Sequence, residues 1–593
     1  MQSAETVLGV LRERGRHRLP LERLYRQLFN PQLYLLAYGR IYANKGAMTP
    51  GVTGETVDGM SLDKIDRIID AMRHERYRFR PVRRVHIPKK NGKTRPLGMP
   101  TWSDKLVGEV VRLLLDSSYE PTFSDRSHGF RPRRGCHTAL REVARTWTGT
   151  TWFIEGDVAD CFGSFDHEIM LSTLAHTIHD GRFLRLMRNM LEAGYLEDWV
   201  WNATLSGVPQ GGVVSPVLSN IYLHRLDTFV ETVLIPEYTR ERIRKPDTAY
   251  FRVRAARDRA HRRGDHAQAR ALRQQVRSMP SGDPRDPGYR RLRYVRYCDD
   301  TLLGFIGPKA DAQEIKQRLT RFLREELKLE LSQDKTLITH ARTEAAKFLG
   351  YEITVLHNDG KLTHGKRSVN GVASLRVPSS VIKAKQAPYL ARGKPEHRPN
   401  LLNEDDHTIV NVYGAEWRGI VQYYLLAGNV ARLYRLLWVM ETSLLKTLAN
   451  KHRSTVSKMA RAYAATITTP YGPRKCFEAK AERSGRKPLV ARFGGIPLRR
   501  QLDATITDRV LVPGIVRRTE LVDRLQAGRC EMCRSTEDIS VHHIRRLADL
   551  DRPRQTQPDW VELMVKRRRK TLVVCRSCHD GIHAGKPKSQ LTS

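Results

Sequence analysis

Apolar positions along this chain follow two rhythms. In short stretches they crowd together or alternate, as strands require: at 84–88, at 152–162, and in the paired runs 292–295 and 301–306. Elsewhere they recur at helical spacing, over much of 1–75, over 217–229 and 312–327, and through a long run from 405 to 465. Turn chemistry separates these stretches. A polar turn occupies 44–52, and Asn91-Gly92 follows the strand at 84–88 as a hairpin signal. A Gly/Pro loop, Gly207-Val208-Pro209-Gln210-Gly211-Gly212, runs through Ser215-Pro216 into the apolar helix at 217–229. Sheets and helices are both expected, in a chain whose 593 residues exceed one core and point to roughly three to five domains.

Candidate chemistry sits where the strand rhythm ends on acids. Tyr297-Cys298-Asp299-Asp300 lies between two apolar runs, the pattern of a β-hairpin with two carboxylates at its tip. A lone Asp pair in a turn is usually turn chemistry, but the strand at 152–162 carries a third carboxylate, Asp157. Mg2+ is a hard cation that takes oxygen ligands and keeps substrate phosphates in its shell. Three acids on neighbouring strands would complete a two-metal site for in-line phosphoryl displacement. In the turn at 89–98, Lys90, Lys93 and Arg95 would face a triphosphate if that hairpin is a fingers tip; otherwise they form an exposed basic turn. The strand with Asp157, the Gly/Pro loop and the Asp pair, in this order, resemble the A, B and C motifs of a reverse transcriptase palm.

Charge narrows the partner. Against 64 acidic residues stand 103 Lys and Arg, a net charge of +39. Phosphate neutralisation dominates nucleic-acid affinity, so an excess spread over the whole chain points to a polyanion. Basic residues alternate with apolar ones, without long one-sign runs or low complexity. The segment 240–291 is a basic insertion with a helix-forming centre at 253–276; it is either a solvated face or an RNA-contacting arm. No run of about 18 apolar residues predicts a membrane span. Residues 1–24 are Arg-rich but carry Glu5, Glu13 and Glu22, which fits neither a secretory signal nor a transit peptide. Eight cysteines in this length make no disulfide framework. Four of them form two C-x-x-C pairs, Cys530/Cys533 and Cys575/Cys578, the spacing of a closed four-thiolate Zn2+ site in a reducing compartment.

Over nearly its whole length the chain resembles group II intron-encoded proteins, which are multifunctional reverse transcriptases and maturases. The block with Asn44-Lys45-Gly46 resembles their extension before the fingers, and Asp157, Gln210, Asp299 and Asp300 match the palm. Segments with Tyr423-Tyr424 and Met440-Glu441-Thr442 resemble the thumb, the X region that grips intron RNA. Cys298 stands where most relatives carry Ala. The resemblance implies a multidomain α+β fold: an N-terminal extension at 1–75, right-hand polymerase fingers and palm with an antiparallel sheet at 76–365, and a helical thumb or maturase domain at 366–470. A basic DNA-binding linker at 471–520 and a small ββα-type HNH zinc module at 521–593 would follow. It also implies that Phe162, five residues past Asp157, blocks a ribose 2′-hydroxyl and that Gln210 packs on the incoming nucleotide. Two Mg2+ in the palm, dNTP substrates, and a ribonucleoprotein with intron RNA acting on target DNA by target-primed reverse transcription complete what it implies. The implied setting is the bacterial cytoplasm, associated with the nucleoid, with an organelle as the other setting.

The tail resembles an HNH endonuclease, with His542-His543 between the two cysteine pairs and His579 and His583 directly after them. In that family's pattern His543 is the general base, while His542, His579 and His583 ligate one Mg2+-type ion. The family's central Asn has no counterpart within 559–570. Two rival readings are a free-standing bacterial reverse transcriptase and an RNA-binding maturase with a decayed polymerase site. The X-like helices and HNH tail stand against the first, and the three palm acids against the second.

Overall fold

The structure, a computed structural model, describes residues 2–584 apart from 89–91, 93, 199, 205, 209–211, 285, 365, 484–485, 507–519, 546–549, 551–557 and 568. Its reference frame is a four-stranded sheet in the order Arg291–Tyr297, Asp300–Ile306, Trp152–Asp157, Ile338–His340, with every neighbour antiparallel. Side chains alternate faces along a strand, and here both faces are covered. Ile154, Leu292, Tyr294, Leu303 and Phe305 enter one core, while Phe153, Val295 and Leu302 enter another. Burial on both sides explains why these strands read as continuous apolar runs.

The first core gathers the helices Ala4–Arg16, Pro31–Ile41, Trp102–Tyr119, Ser215–Phe229 and Lys309–Leu327. The N-cap side chains of Ser3, Asn30 and Thr101 each accept a backbone N–H of the first turn, which fixes where three of these helices begin. The second core lies beneath the helices Asp406–Tyr424 and Tyr434–Lys451. A three-stranded sheet, Ala464–Thr469, Gly472–Arg483 and Arg486–Gly494, packs on the first of them through Ala479, Ala491 and Phe493. The expected linker at 471–520 therefore begins inside a folded sheet, and this corrects the division drawn at 470. Described basic residues such as Arg474, Lys475, Lys487 and Arg492 sit on exposed positions, the last between the buried Ala491 and Phe493.

The strands Val82–Pro88 and Thr94–Met99 form the expected antiparallel hairpin, with Pro88 opposite Thr94. The basic insertion is a helical hairpin, Thr248–Arg262 and His266–Ser278, with few buried side chains. Near the C-terminus the strands Ser540–His543 and Thr571–Val574 pair antiparallel and the helix Arg576–His583 follows, a ββα module. This module is docked on the N-terminal helices. The Gly59 N–H donates to the Val541 carbonyl at 3.0 Å and the Val541 N–H to the Met60 carbonyl at 2.9 Å, while Leu521, Leu525, Val541 and Val573 join the first core. Among the described residues, no helix is long and apolar enough to cross a membrane.

Candidate active site and metal centres

Strand register assembles the palm acids. Asp157 ends its strand directly opposite Asp300, the first residue of the neighbouring strand, and Asp299 lies in the two-residue turn before it. The other turn residue, Cys298, has φ 57°, a left-handed conformation uncommon outside glycine. Packing holds it there. Gly129 lies so close that a Cβ on it would come within 2.6 Å of the Cys298 backbone nitrogen, and the adjacent His128 N–H donates to the Arg296 carbonyl at 2.9 Å.

Beneath the turn lies an ion pair that no local pattern announces. Arg296 reaches Asp227 through two parallel bonds, Nε to Oδ1 at 2.7 Å and Nη2 to Oδ2 at 2.6 Å, and neither side chain is exposed. The Tyr294 hydroxyl donates to the same carboxylate at 2.9 Å, and Arg296 Nη1 donates to the Cys298 carbonyl at 2.9 Å. The pair thus ties the acid-bearing turn to the Ser215–Phe229 helix. Burial alone would raise the Asp227 carboxyl, but the Arg296 charge carries it well below the usual range.

The palm acids repel one another. Burial, then Asp299 and Asp157, push Asp300 up to about 7, and burial likewise raises Asp299. Lys335 Nζ lies 2.6 Å from Asp157 Oδ2, and this contact raises the lysine in turn. A part-buried set of carboxylates that ionise together only beside a cation is the donor set of a hard divalent ion.

The Gly/Pro loop is sewn to the segment after Asp157. The Val208 N–H donates to the Phe162 carbonyl at 2.7 Å. Gly207 has φ +85°, and a Cβ there would meet that same oxygen at 2.6 Å, so glycine is required. Phe162 is half-buried and meets Phe165 edge-on, 6.0 Å between ring centroids. Arg95 stands on the Thr94–Met99 strand, and its charge is felt at Asp299. Lys90, Lys93 and Gln210 lie outside the described residues.

Among the described residues, two groups of four side chains draw their ligand atoms within 4.8 Å of one another. One is Cys530, Cys533, Cys575 and Cys578. Tetrahedral Zn–S bonds of about 2.3 Å place sulfurs about 3.8 Å apart, and Cys533 Sγ lies 3.6 Å from Cys575 Sγ. Burial alone would raise Cys530, but backbone N–H groups of Cys533, Cys575 and Met532 bring it to about 7, toward the thiolate that ligates metal.

The other group contains the expected His542, His579 and His583 together with Asp58, from the loop before the Leu62–Arg73 helix. His579 and His583 project from one face of their helix, four residues apart. Asp58 Oδ2 lies 2.8 Å from His583 Nε2, and Asp58 Oδ1 lies 3.3 Å from His579 Nε2 and 3.5 Å from His542 Nδ1. Against the effect of burial, the His579 ring and the His543 N–H hold the Asp58 carboxyl well below the usual range. Burial brings His542 down to about 4 and His543 to about 3, the neutral imidazole that ligates a metal or accepts a proton. His543 itself is turned away from the group, with its Nε2 3.0 Å from the Tyr38 hydroxyl. The helix Asp559–Arg567 places Trp560 rather than an amide near His542, 5.7 Å between centroids.

Residues 87–252 match the family of reverse transcriptases (RNA-dependent DNA polymerases), 373–484 the type II intron maturases, and 530–579 the AI2M/AI1M-like HNH endonucleases. The chain is 37% identical over 585 residues to the group II intron-encoded protein LtrA of Lactococcus lactis subsp. cremoris, covering 94% of this chain and 95% of that protein. It is 30% identical over 589 residues to the putative COX1/OXI3 intron 1 protein of Saccharomyces cerevisiae, covering 94% and 69%. To protein YkfC of Escherichia coli it is 32% identical over 345 residues, covering 56% and 84%.

Proposed function

Since the chain belongs to the group II intron-encoded proteins, a polymerase, maturase and HNH endonuclease domain in one polypeptide, we propose which residues carry each activity. Asp157, Asp299 and Asp300 hold two Mg2+ for RNA-directed DNA synthesis. The observation that carries this reading is the register that sets Asp157 opposite Asp300 with Asp299 in the adjoining turn. Magnesium there supplies activation of the primer 3′-hydroxyl and neutralisation of the triphosphate and leaving pyrophosphate. Arg95 faces the triphosphate, and Phe162 closes the space a ribose 2′-hydroxyl would need.

The nearby protein groups act by holding charge and shape. Lys335 offsets the charge of Asp157 until the substrate complex forms. The Arg296–Asp227 pair fixes the turn. The maturase helices bind intron RNA, and we propose that the ribonucleoprotein acts on a DNA target inside a bacterial cell. Cys530, Cys533, Cys575 and Cys578 hold one structural Zn2+. His542, His579 and His583 hold the nuclease Mg2+, with His543 as general base.

Sugar selection tests the polymerase assignment. Phe162→Ala should relax discrimination against ribonucleotides by about tenfold or more, since an apolar wall against an extra atom is worth about 1–3 kcal/mol. The ratio of kcat/KM for the two sugars measures it, and an unchanged ratio makes the ring plain core. Metal analysis tests the tail. Zinc should copurify at about one per chain, and Cys575→Ser should lose it and unfold the module, seen as new protease cuts after residue 520 while 2–506 stays intact. Full zinc retention in that variant removes the four-thiolate assignment.

A further inference from the structure

The nuclease site is covered by a part of the chain that belongs to no HNH module. Asp58 enters the ring of His542, His579 and His583 from the N-terminal block, with its two carboxylate oxygens shared among all three imidazoles. His542 is 4% exposed, and both of its ring nitrogens are buried without a hydrogen-bond partner. His543 is 5% exposed and engaged by the Tyr38 hydroxyl, while its backbone N–H donates to Asp58 Oδ1 at 2.7 Å. The backbone bridge between Gly59–Met60 and Val541 fixes this approach from below. The base and the ligand His542 are therefore closed by one surface, and Asp58 occupies the inner side of the ring, while His583 keeps 56% of its side chain exposed.

We propose that the N-terminal block is an intramolecular cap on the nuclease, with Asp58 supplying a fourth ligand to the metal held by His542, His579 and His583. The chemistry of the donor set supports this. An anionic oxygen among three imidazoles is what a DNA phosphate would present to the metal, and catalytic sites differ from structural ones in keeping such a position open. With Asp58 in that position the docked module holds metal but does not admit DNA. Cleavage then requires the module to lift from Tyr38, Asp58 and Met60, which couples nuclease action to an event that displaces the N-terminal block. The cap rests on the reading of the three histidines as the nuclease's metal ligands.

The test uses the full chain without RNA. Mn2+ is titrated and read by nitrogen hyperfine coupling in pulsed EPR, a signal that the all-oxygen palm ligands lack. Asp58→Asn should weaken nitrogen-coupled Mn2+ by at least about tenfold, since even supporting residues are worth that much. At saturating Mn2+ it should nick plasmid DNA several-fold faster than the parent. Tyr38→Phe should also raise nicking, with Mn2+ affinity unchanged, and serves if the Asp58 variant folds poorly. Unchanged Mn2+ affinity in Asp58→Asn, or nicking that rises in neither variant, overturns the cap. His583→Ala separates the underlying reading: it should weaken nitrogen-coupled Mn2+ by at least about tenfold, and unchanged affinity sinks the histidine assignment rather than the cap alone.

Discussion

Asp299→Asn should abolish primer extension on an RNA template while the folded chain melts no lower than the parent, and higher in the absence of divalent metal. The two halves of this result have one cause. Asp299 sits beside Asp300 and near Asp157, and its charge is part of what pushes Asp300 up to about 7. Replacing it by the isosteric amide removes a metal ligand and a mutual repulsion at once. Loss of one preorganised charge at a reacting phosphate costs at least about a hundredfold to a thousandfold in rate. The relief of repulsion appears as a raised Tm in chelator and disappears when Mg2+ is added. Binding of intron RNA should persist, because it rests on the maturase helices and basic surface elsewhere. Extension near the parental rate refutes the metal assignment, and a lowered Tm in chelator refutes the account of repulsion.

Asp227→Ala should cost about 3–5 kcal/mol of stability, the penalty for leaving a buried guanidinium uncompensated. Arg296 has no exposed surface, and its only carboxylate partner among the described residues is lost in this variant. Urea unfolding monitored at the palm measures the loss, and a change below about 1 kcal/mol, the value of a surface pair, shows that the pair is not dry. A companion variant sharpens the point. Replacing both partners with apolar residues, Asp227→Leu with Arg296→Met, should recover most of the stability, as such swaps often do. Extension should not recover with it, because the bond from Arg296 to the Cys298 carbonyl goes with the arginine, and Cys298 shares its turn with Asp299. Stability and activity would then separate in one double variant.

The palm was legible because its signals are local. Asp157 and Asp300 each stand at the end of a short apolar strand, so the break in hydrophobicity marks the acids. Cys530 to Cys578 was legible by spacing, and the arrangement of His579 and His583 by helical periodicity. Asp227 is different. It is the one acid of a helix that also carries His224 and Arg225, and Arg296 is one of three arginines in its strand, with Arg291 and Arg293, so each alone reads as an ordinary polar position. Opposite charges at two positions that periodicity buries were the available signal. Asp58 offered none, because a lone Asp in a polar loop is ordinary turn chemistry and only docking brings it to His583. The sheet at 464–494 escaped notice for a reason of volume. Among the described residues its buried side chains are few, Cys476, Ala479, Ala491 and Phe493, and two are alanine, which gives a weak alternation beside so many exposed Arg and Lys.

The contact between Tyr38 and His543 spans 505 residues of sequence. Translation at about 5–20 residues per second therefore leaves roughly 25–100 seconds between the emergence of one partner and the other. During that interval the Gly59 N–H and the Met60 carbonyl face water on the ribosome, without their Val541 partners. A chain halted before residue 520 leaves them open for good, together with the apolar surface that Leu521, Leu525, Val541 and Val573 would cover, and an exposed apolar patch invites association. Premature stops in the last part of this reading frame should thus do more than delete a nuclease: they should yield a polymerase that self-associates through its amino-terminal face.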